Sequence, residues 1–217
     1  MGAPSSKAVV RALLERHGQT YAEELGIRLD RAGPSALFRL LCAALLLSAR
    51  ISADLAVAAA RALTDSGWTT PRKLADATWA QRTKVLNRAG YARYDERTSR
   101  MLEDAARHLI EAYGGDLRAL RDAAGRDPRR ERELLKEFKG IGDVGADIFM
   151  REVQRTWQEA RPFFDDRALG SARRLGLPDD PEELARLAPR GDSARLAAAL
   201  VRSALAKDHR EVASAAG

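Results

Sequence analysis

The chain has 217 residues, 45% of them hydrophobic, which suffices for one domain with a sizeable core or two small lobes. Its formal net charge of +6, with arginine far outnumbering lysine, suits a polyanionic partner. The one cysteine, Cys42, excludes an intrachain disulfide and a multi-thiolate metal site, and no apolar run is long enough to span a bilayer.

In chain order, the periodicity predicts a short amphipathic helix over 7–16, then a polar and partly irregular stretch over 17–34 that ends at Gly33-Pro34. Ser35 is placed to cap the next helix. Residues 37–47 are apolar on nearly every face and predict a central buried helix. Ser52 caps an alanine-rich helix over 53–64. Helices over 71–77, 79–88 and 95–113 follow, the last broken by Gly114-Gly115. A short helix over 116–123 precedes a pair over 129–137 and 144–156. Helices over 166–175, 181–187 and 193–205 close the chain, the last with Leu196, Leu200 and Leu205 on one side. Residues 207–217 read as a frayed or disordered tail. Short helices with brief loops and no strand alternation give an all-α class. Trp68, Trp79 and Trp157 read as core or interface residues, and His17, His108 and His209 lack metal-ligand spacing.

The most informative stretch is 138–147, FKGIGDVGAD, followed by Phe163-Phe164-Asp165-Asp166. Gly140 and Gly142 bracket Ile141 and allow a tight turn between the 129–137 and 144–156 helices. A helix starting near Asp143 presents unpaired N–H groups and a positive dipole end, which suit a phosphate. Gly-x-Gly alone is more often a plain helix cap and turn. An Asp before a helix is likewise an ordinary N-cap, so each of the two carboxylates has a purely structural reading.

The combination carries more. FKGIGDVGADIF resembles the hairpin of the helix-hairpin-helix DNA glycosylase superfamily, which includes endonuclease III. RPFFDDRALGSARRLG resembles the segment with that family's catalytic Asp. LCAALLLSARISADLAVAAARAL and RAGYARYDERTSRMLEDAARHL resemble its early helix pair and the loop and helix after it. The resemblance implies a two-lobed helical fold with a DNA cleft between the lobes. One lobe is expected over 35–145, the other over 1–34 with 146–207, and a tail over 208–217. It implies a glycosylase that removes a damaged or mismatched base from double-stranded DNA, working as a monomer in the cytoplasm, nucleoid-associated.

By the same resemblance, one Asp supports departure of the base through a sugar of oxocarbenium character. Asp166 is favoured, because Leu169 and Ala172 then fall at +3 and +6 as apolar helix contacts; Asp165 is the reserve. Bifunctional members carry a Lys where this chain has Val144, so the resemblance implies a monofunctional enzyme without strand cleavage. Lys139, Gly140, Ile141, Gly142, Val144 and Gly145 are the expected hairpin contacts to DNA, with Lys136 and Lys139 neutralising phosphate. Hairpin carbonyls could hold a monovalent cation. Asp143 stands where the family often has Arg, and a carboxylate there repels a phosphate. Endonuclease III's four-cysteine iron–sulfur cluster has no counterpart, so no cofactor is expected. Ala44 replaces the Glu of the mismatch adenine glycosylases.

A base inside a duplex must be flipped out before its glycosidic bond is reached. Arg50 occupies the inserted-residue place after Leu47-Ser48-Ala49, with Ser52 beside it. Tyr91 is the expected second wedge, with Arg93 and Tyr94 following. The alternative reading is a catalytically inactive helix-hairpin-helix protein that recognises damaged or distorted DNA. The excised base is not legible in the sequence.

Overall fold

The computed structural model describes residues 4–91 and 95–217. Its helices are α1 (Ser6–His17), α2 (Tyr21–Glu24), α3 (Pro34–Leu47), α4 (Ala53–Asp65), α5 (Pro71–Asp76), α6 (Trp79–Arg88) and α7 (Asp95–Tyr113). They continue with α8 (Leu117–Ala123), α9 (Pro128–Lys136), α10 (Asp143–Val153), α11 (Asp166–Arg174), α12 (Pro181–Leu187), α13 (Ser193–Ala206) and α14 (His209–Ala215). Two 3₁₀ turns, Gln158–Ala160 and Pro189–Gly191, complete the set. No strand occurs among the described residues, so the class is all-α. No helix among them is long and apolar enough to cross a membrane.

The chain forms two compact units, Leu25–Phe149 and Met1–Glu24 with Met150–Gly217. The boundaries differ from the expected 35 and 145. Residues 25–34 join the middle unit because Leu25, Ile27 and Leu29 are buried and Arg39 of α3 donates to the Leu25 carbonyl at 2.8 Å.

The middle unit is built on α3. Its Leu37, Phe38, Leu40, Leu41, Ala44 and Leu46 are all at or near zero exposure, which is why the segment lacks a polar face. α4, α7 and α8 pack on it, and α5 and α6 pack on α7. Arg82 of α6 is fully buried and holds these elements together. It donates to the carbonyls of Leu74 and Ser99, each at 3.2 Å, and pairs with Glu103. Thr78 opens α6 with a reciprocal capping box to Gln81. α3 starts one residue earlier than its predicted cap: Gly33 is the N-cap and Pro34 the first helical residue. Ser35 therefore lies inside the helix, and its hydroxyl donates to the Thr69 carbonyl at 2.9 Å.

The terminal unit is built on α13, against which α1 and α11 pack. Leu13, Leu184, Leu196, Leu200 and Val212 are fully buried in its core. Leu205 is 46% exposed, contrary to the expected stripe. Five residues beyond Leu200, it lies about 140° round the helix from it. The expected disordered tail is also corrected. Residues 209–215 form α14, which packs on α1 and buries Val212 completely. Of the tryptophans, Trp157 is core, whereas Trp79 is 41% exposed because it starts α6.

Candidate functional site

In the middle unit α9 ends at Lys136, and the buried Phe138 starts the turn, with the Ile141 N–H donating to the Phe138 carbonyl at 2.9 Å. Gly140 is required by the fold. Its φ is +96°, and a Cβ there would meet the Met101 methyl at 2.3 Å. A Cβ on Gly145 would lie 3.3 Å from Ile141 side-chain atoms and 3.6 Å from the Ser48 Cβ, so a larger residue would crowd the first turn of α10. Gly142 is different. Its φ is not positive and a Cβ there would meet nothing within 4 Å, so the protein's own packing does not demand a glycine. The first intrahelical bond of α10 runs from the Ala146 N–H to the Gly142 carbonyl at 2.9 Å. The three preceding N–H groups lack intrahelical acceptors and lie behind a residue without a side chain. Val144, in that turn, is 53% exposed.

Asp143 has a definite role. Its Oδ1 is 3.0 Å from both Arg132 Nη2 and Lys136 Nζ of α9, and Arg132 also reaches Asp147 at 2.7 Å. Lys136 and Arg132 hold the Asp143 carboxyl below the usual carboxylate range. The pairing ties the two hairpin helices together and neutralises the carboxylate at the helix start. It also engages Lys136, expected to be free for phosphate. Lys139 is 71% exposed and pairs with Asp104 at 2.6 Å, a surface contact that solvent weakens.

Ser48, whose Cβ lies 3.6 Å from where a Cβ on Gly145 would be, is the C-cap of α3, its hydroxyl donating to the Leu45 carbonyl at 2.8 Å. Arg50, two residues on, is exposed and carries no ion pair among the described residues. Ser52 caps α4 by accepting the Leu55 N–H at 3.3 Å. Leu55 Cδ1 in turn lies 3.0 Å from where a Cβ on Gly90 would be. The hairpin, the α3–α4 loop and the end of α6 thus share one neighbourhood of this unit. Tyr91 is a correction. Gly90, at φ +87°, and the bond from the Tyr91 N–H to the Leu86 carbonyl turn the chain inward, leaving the ring 2% exposed. It is a core residue here, not an exposed wedge. Arg93 and Tyr94 lie outside the described residues.

The carboxylate pair belongs to the terminal unit. Asp165 is the N-cap of α11, its Oδ1 accepting the Ala168 N–H at 2.9 Å. Its Oδ2 pairs with Arg151, and both side chains are buried, at 8% and 3% exposure. Asp166, the first helical residue, is exposed and carries no ion pair among the described residues. The spacing that favours Asp166 fits the burial only in part, because Leu169 is half-buried. From Asp165, the residues at +3 and +6, Ala168 and Ser171, are both buried, at 0% and 1% exposure.

Sequence reasoning missed Arg132, Arg151 and Gln154. Gln154 accepts from the Phe163 N–H at 3.0 Å and donates to its carbonyl at 2.8 Å, fixing the chain just ahead of the carboxylates. The signal was present in MREVQ, where polar residues interrupt an apolar helix. An iron–sulfur cluster does not fit the residues: the sole cysteine, Cys42, is buried in α3, its thiol pushed up to about 12 by burial. Among the described residues no group of three or more His, Cys, Asp or Glu could hold a metal ion.

No protein-family model matches the chain, and no curated protein sequence matches it. Solved structures do. A non-covalent endonuclease III–DNA complex matches with a TM-score of 0.51 at 17% identity, over 92% of this chain and 86% of that one. A trapped endonuclease III–DNA covalent intermediate, an estranged-adenine complex, matches with a TM-score of 0.50 at the same identity and coverage. The chain therefore has the all-α fold of endonuclease III.

Proposed function

We propose that this protein is a monofunctional DNA glycosylase that hydrolyses the N-glycosidic bond of a damaged or mismatched base in double-stranded DNA. The carrying observation is the uncovered first turn of α10 behind Gly142, a glycine that internal packing does not require. A phosphate can approach those N–H groups without meeting a side chain, with positive charge from Lys139, three residues before Gly142, and from Arg50, two residues after the Ser48 that lies beside Gly145. Asp143 does not oppose this, because Arg132 and Lys136 neutralise it.

For the chemistry, base departure leaves positive charge on the sugar, and a fixed carboxylate stabilises it while water adds to the sugar carbon. The burial at +3 and +6 puts Asp165 ahead of Asp166 for that role. Arg151 and the Ala168 N–H keep the Asp165 carboxylate in one orientation. Val144 offers no amine, so the sugar is attacked by water and the strand is not cleaved. The saturation of Asp165 by its own partners favours the second reading, a DNA-binding protein without excision.

The test is a panel of duplexes carrying uracil, hypoxanthine, alkylated and oxidised bases, developed with alkali to reveal abasic sites. Excision is expected on at least one. Asp165→Asn, which preserves shape and capping ability but removes the buried counter-charge of Arg151, should lower it by about 100-fold or more with the fold retained by circular dichroism. Asp166→Asn should lower it far less. The reverse order returns the role to Asp166, and duplex binding without excision across the panel establishes the second reading. Borohydride should trap no adduct with the unmodified protein.

A further inference from the structure

The terminal unit contains a second surface that the proposed chemistry does not use. An open groove of about 630 Å³ runs between α1 and the end of α12 with the 3₁₀ turn after it. Its floor is apolar, formed by Val10, Leu14, Leu187, Ala188 and Pro189. Its rim is cationic: Lys7 and Arg11 of α1, one helical turn apart on one face, Arg186 of α12 and Arg195 of α13. Glu15 is the single acidic residue lining it. Arg195 is engaged, its Nε donating to the Gly18 carbonyl at 2.7 Å. Lys7, Arg11 and Arg186 are exposed and carry no ion pair among the described residues. An apolar floor within a ring of uncompensated cations is complementary to a ligand with apolar residues on one side and carboxylates flanking them.

We infer that this groove is a docking site for an acidic amphipathic helical peptide of a partner protein. Charge alone would also attract nucleic acid, but two features favour the peptide. None of the lining residues is aromatic, so single-stranded bases find no stacking platform. A duplex backbone presents phosphates and sugars, which would leave the apolar floor unmatched. A helix carrying Leu or Ile at i, i+3 and i+4 covers such a floor and places Asp or Glu against Lys7, Arg11 and Arg186.

A display library of short peptides, selected on the full protein and counter-selected on the Arg11→Glu/Arg186→Glu double variant, tests the inference. Both side chains are exposed, so the variant should keep its fold, checked by circular dichroism. The expected winners carry Asp or Glu flanking aliphatic residues at helical spacing. They should bind the double variant at least about tenfold more weakly, and more weakly in high salt. Winners without that pattern, or with unchanged affinity for the double variant, overturn the proposal. So does displacement of the selected peptides by a single-stranded or duplex oligonucleotide with loss of that competition in the double variant, which makes the groove a nucleic-acid site.

Discussion

Two glycines two residues apart do different work. Gly140 has a positive φ and a Cβ there would have to displace the flexible end of Met101, so Gly140→Ala should cost roughly 1–2 kcal/mol, chiefly from backbone strain. Gly142 has neither constraint. Gly142→Ala should leave stability unchanged or raise it by about 0.4–1 kcal/mol, since alanine restricts the unfolded chain more. Yet it should weaken duplex binding by about tenfold, the loss of one good charge-assisted hydrogen bond. Urea denaturation beside fluorescence anisotropy on a labelled duplex reads both quantities. Full affinity in Gly142→Ala would falsify the proposed phosphate approach. The neighbouring Val144 can be tested by gain of function. It is half-exposed, so Val144→Lys should change stability by no more than about 0.5 kcal/mol. The new amine should yield a borohydride-trapped adduct on whichever duplex the unmodified protein excises. A variant that excises normally and traps nothing removes Val144 from the reacting neighbourhood.

At the scale of elements, helices with strong apolar periodicity and clear caps were legible: α3, α4, α6, α7 and the α9–α10 hairpin lie close to where the sequence places them. What was hidden depends on partners distant in sequence. α14 looks like a frayed tail because only Val212 is a sizeable apolar residue in it, and its anchoring comes from elsewhere. Asp208 accepts from the Ser203 hydroxyl at 2.8 Å, lies 2.8 Å from His17 Nε2 and pairs with Arg16. His209 Nε2 lies 2.9 Å from Ser171 Oγ. The burial of Tyr91 and the Arg151–Asp165 pair were hidden for the same reason. These contacts make α14 acid-sensitive with a definite sign. Burial would raise the Asp208 carboxyl, but Ser203, His17 and Arg16 together hold it below the usual range. Burial, then Arg174, pushes the His209 pKa down against the opposing pull of Asp208. Both folded-state values lie below the unfolded ones, so both contributions are complete at high pH and fall as pH drops. The His209 share should start to go near pH 6.5 and the Asp208 share below about pH 4. Protection of the α14 amides, taken relative to the intrinsic exchange rate at each pH, should therefore fall in two steps as pH drops. Asp208→Asn should remove the lower step and His209→Gln the upper. Protection that stays flat from pH 7 to pH 3 contradicts the assignment.

At the scale of the whole molecule, the chain keeps the fold of endonuclease III with a single cysteine, and that cysteine is buried in the middle unit with its thiol pushed up to about 12. A thiol so protonated at neutral pH is a poor metal ligand. The contacts within the terminal unit are an apolar core together with the Asp208 and Asp165 ion pairs. α1 and α11 pack on α13, and α14 packs on α1, with Leu13, Leu196, Leu200 and Val212 fully buried. Composition made the missing thiolates legible, but the replacement core is assembled from both chain ends and could not be read from either alone. If these contacts hold the unit without a metal, the protein should refold from denaturant in a metal chelator and recover the same thermal midpoint. Trp157 fluorescence, read in a Trp68→Phe/Trp79→Phe background, is the suitable probe, since that side chain is buried in the terminal unit. Leu200→Ala should then act strongly, costing about 3 kcal/mol and lowering the midpoint reported by Trp157 by about 10 °C. The two results constrain each other. A midpoint that drops in chelator would mean that a bound metal shares in holding this unit. A midpoint indifferent to Leu200→Ala would mean that the α1–α13–α14 core is not what keeps the unit folded.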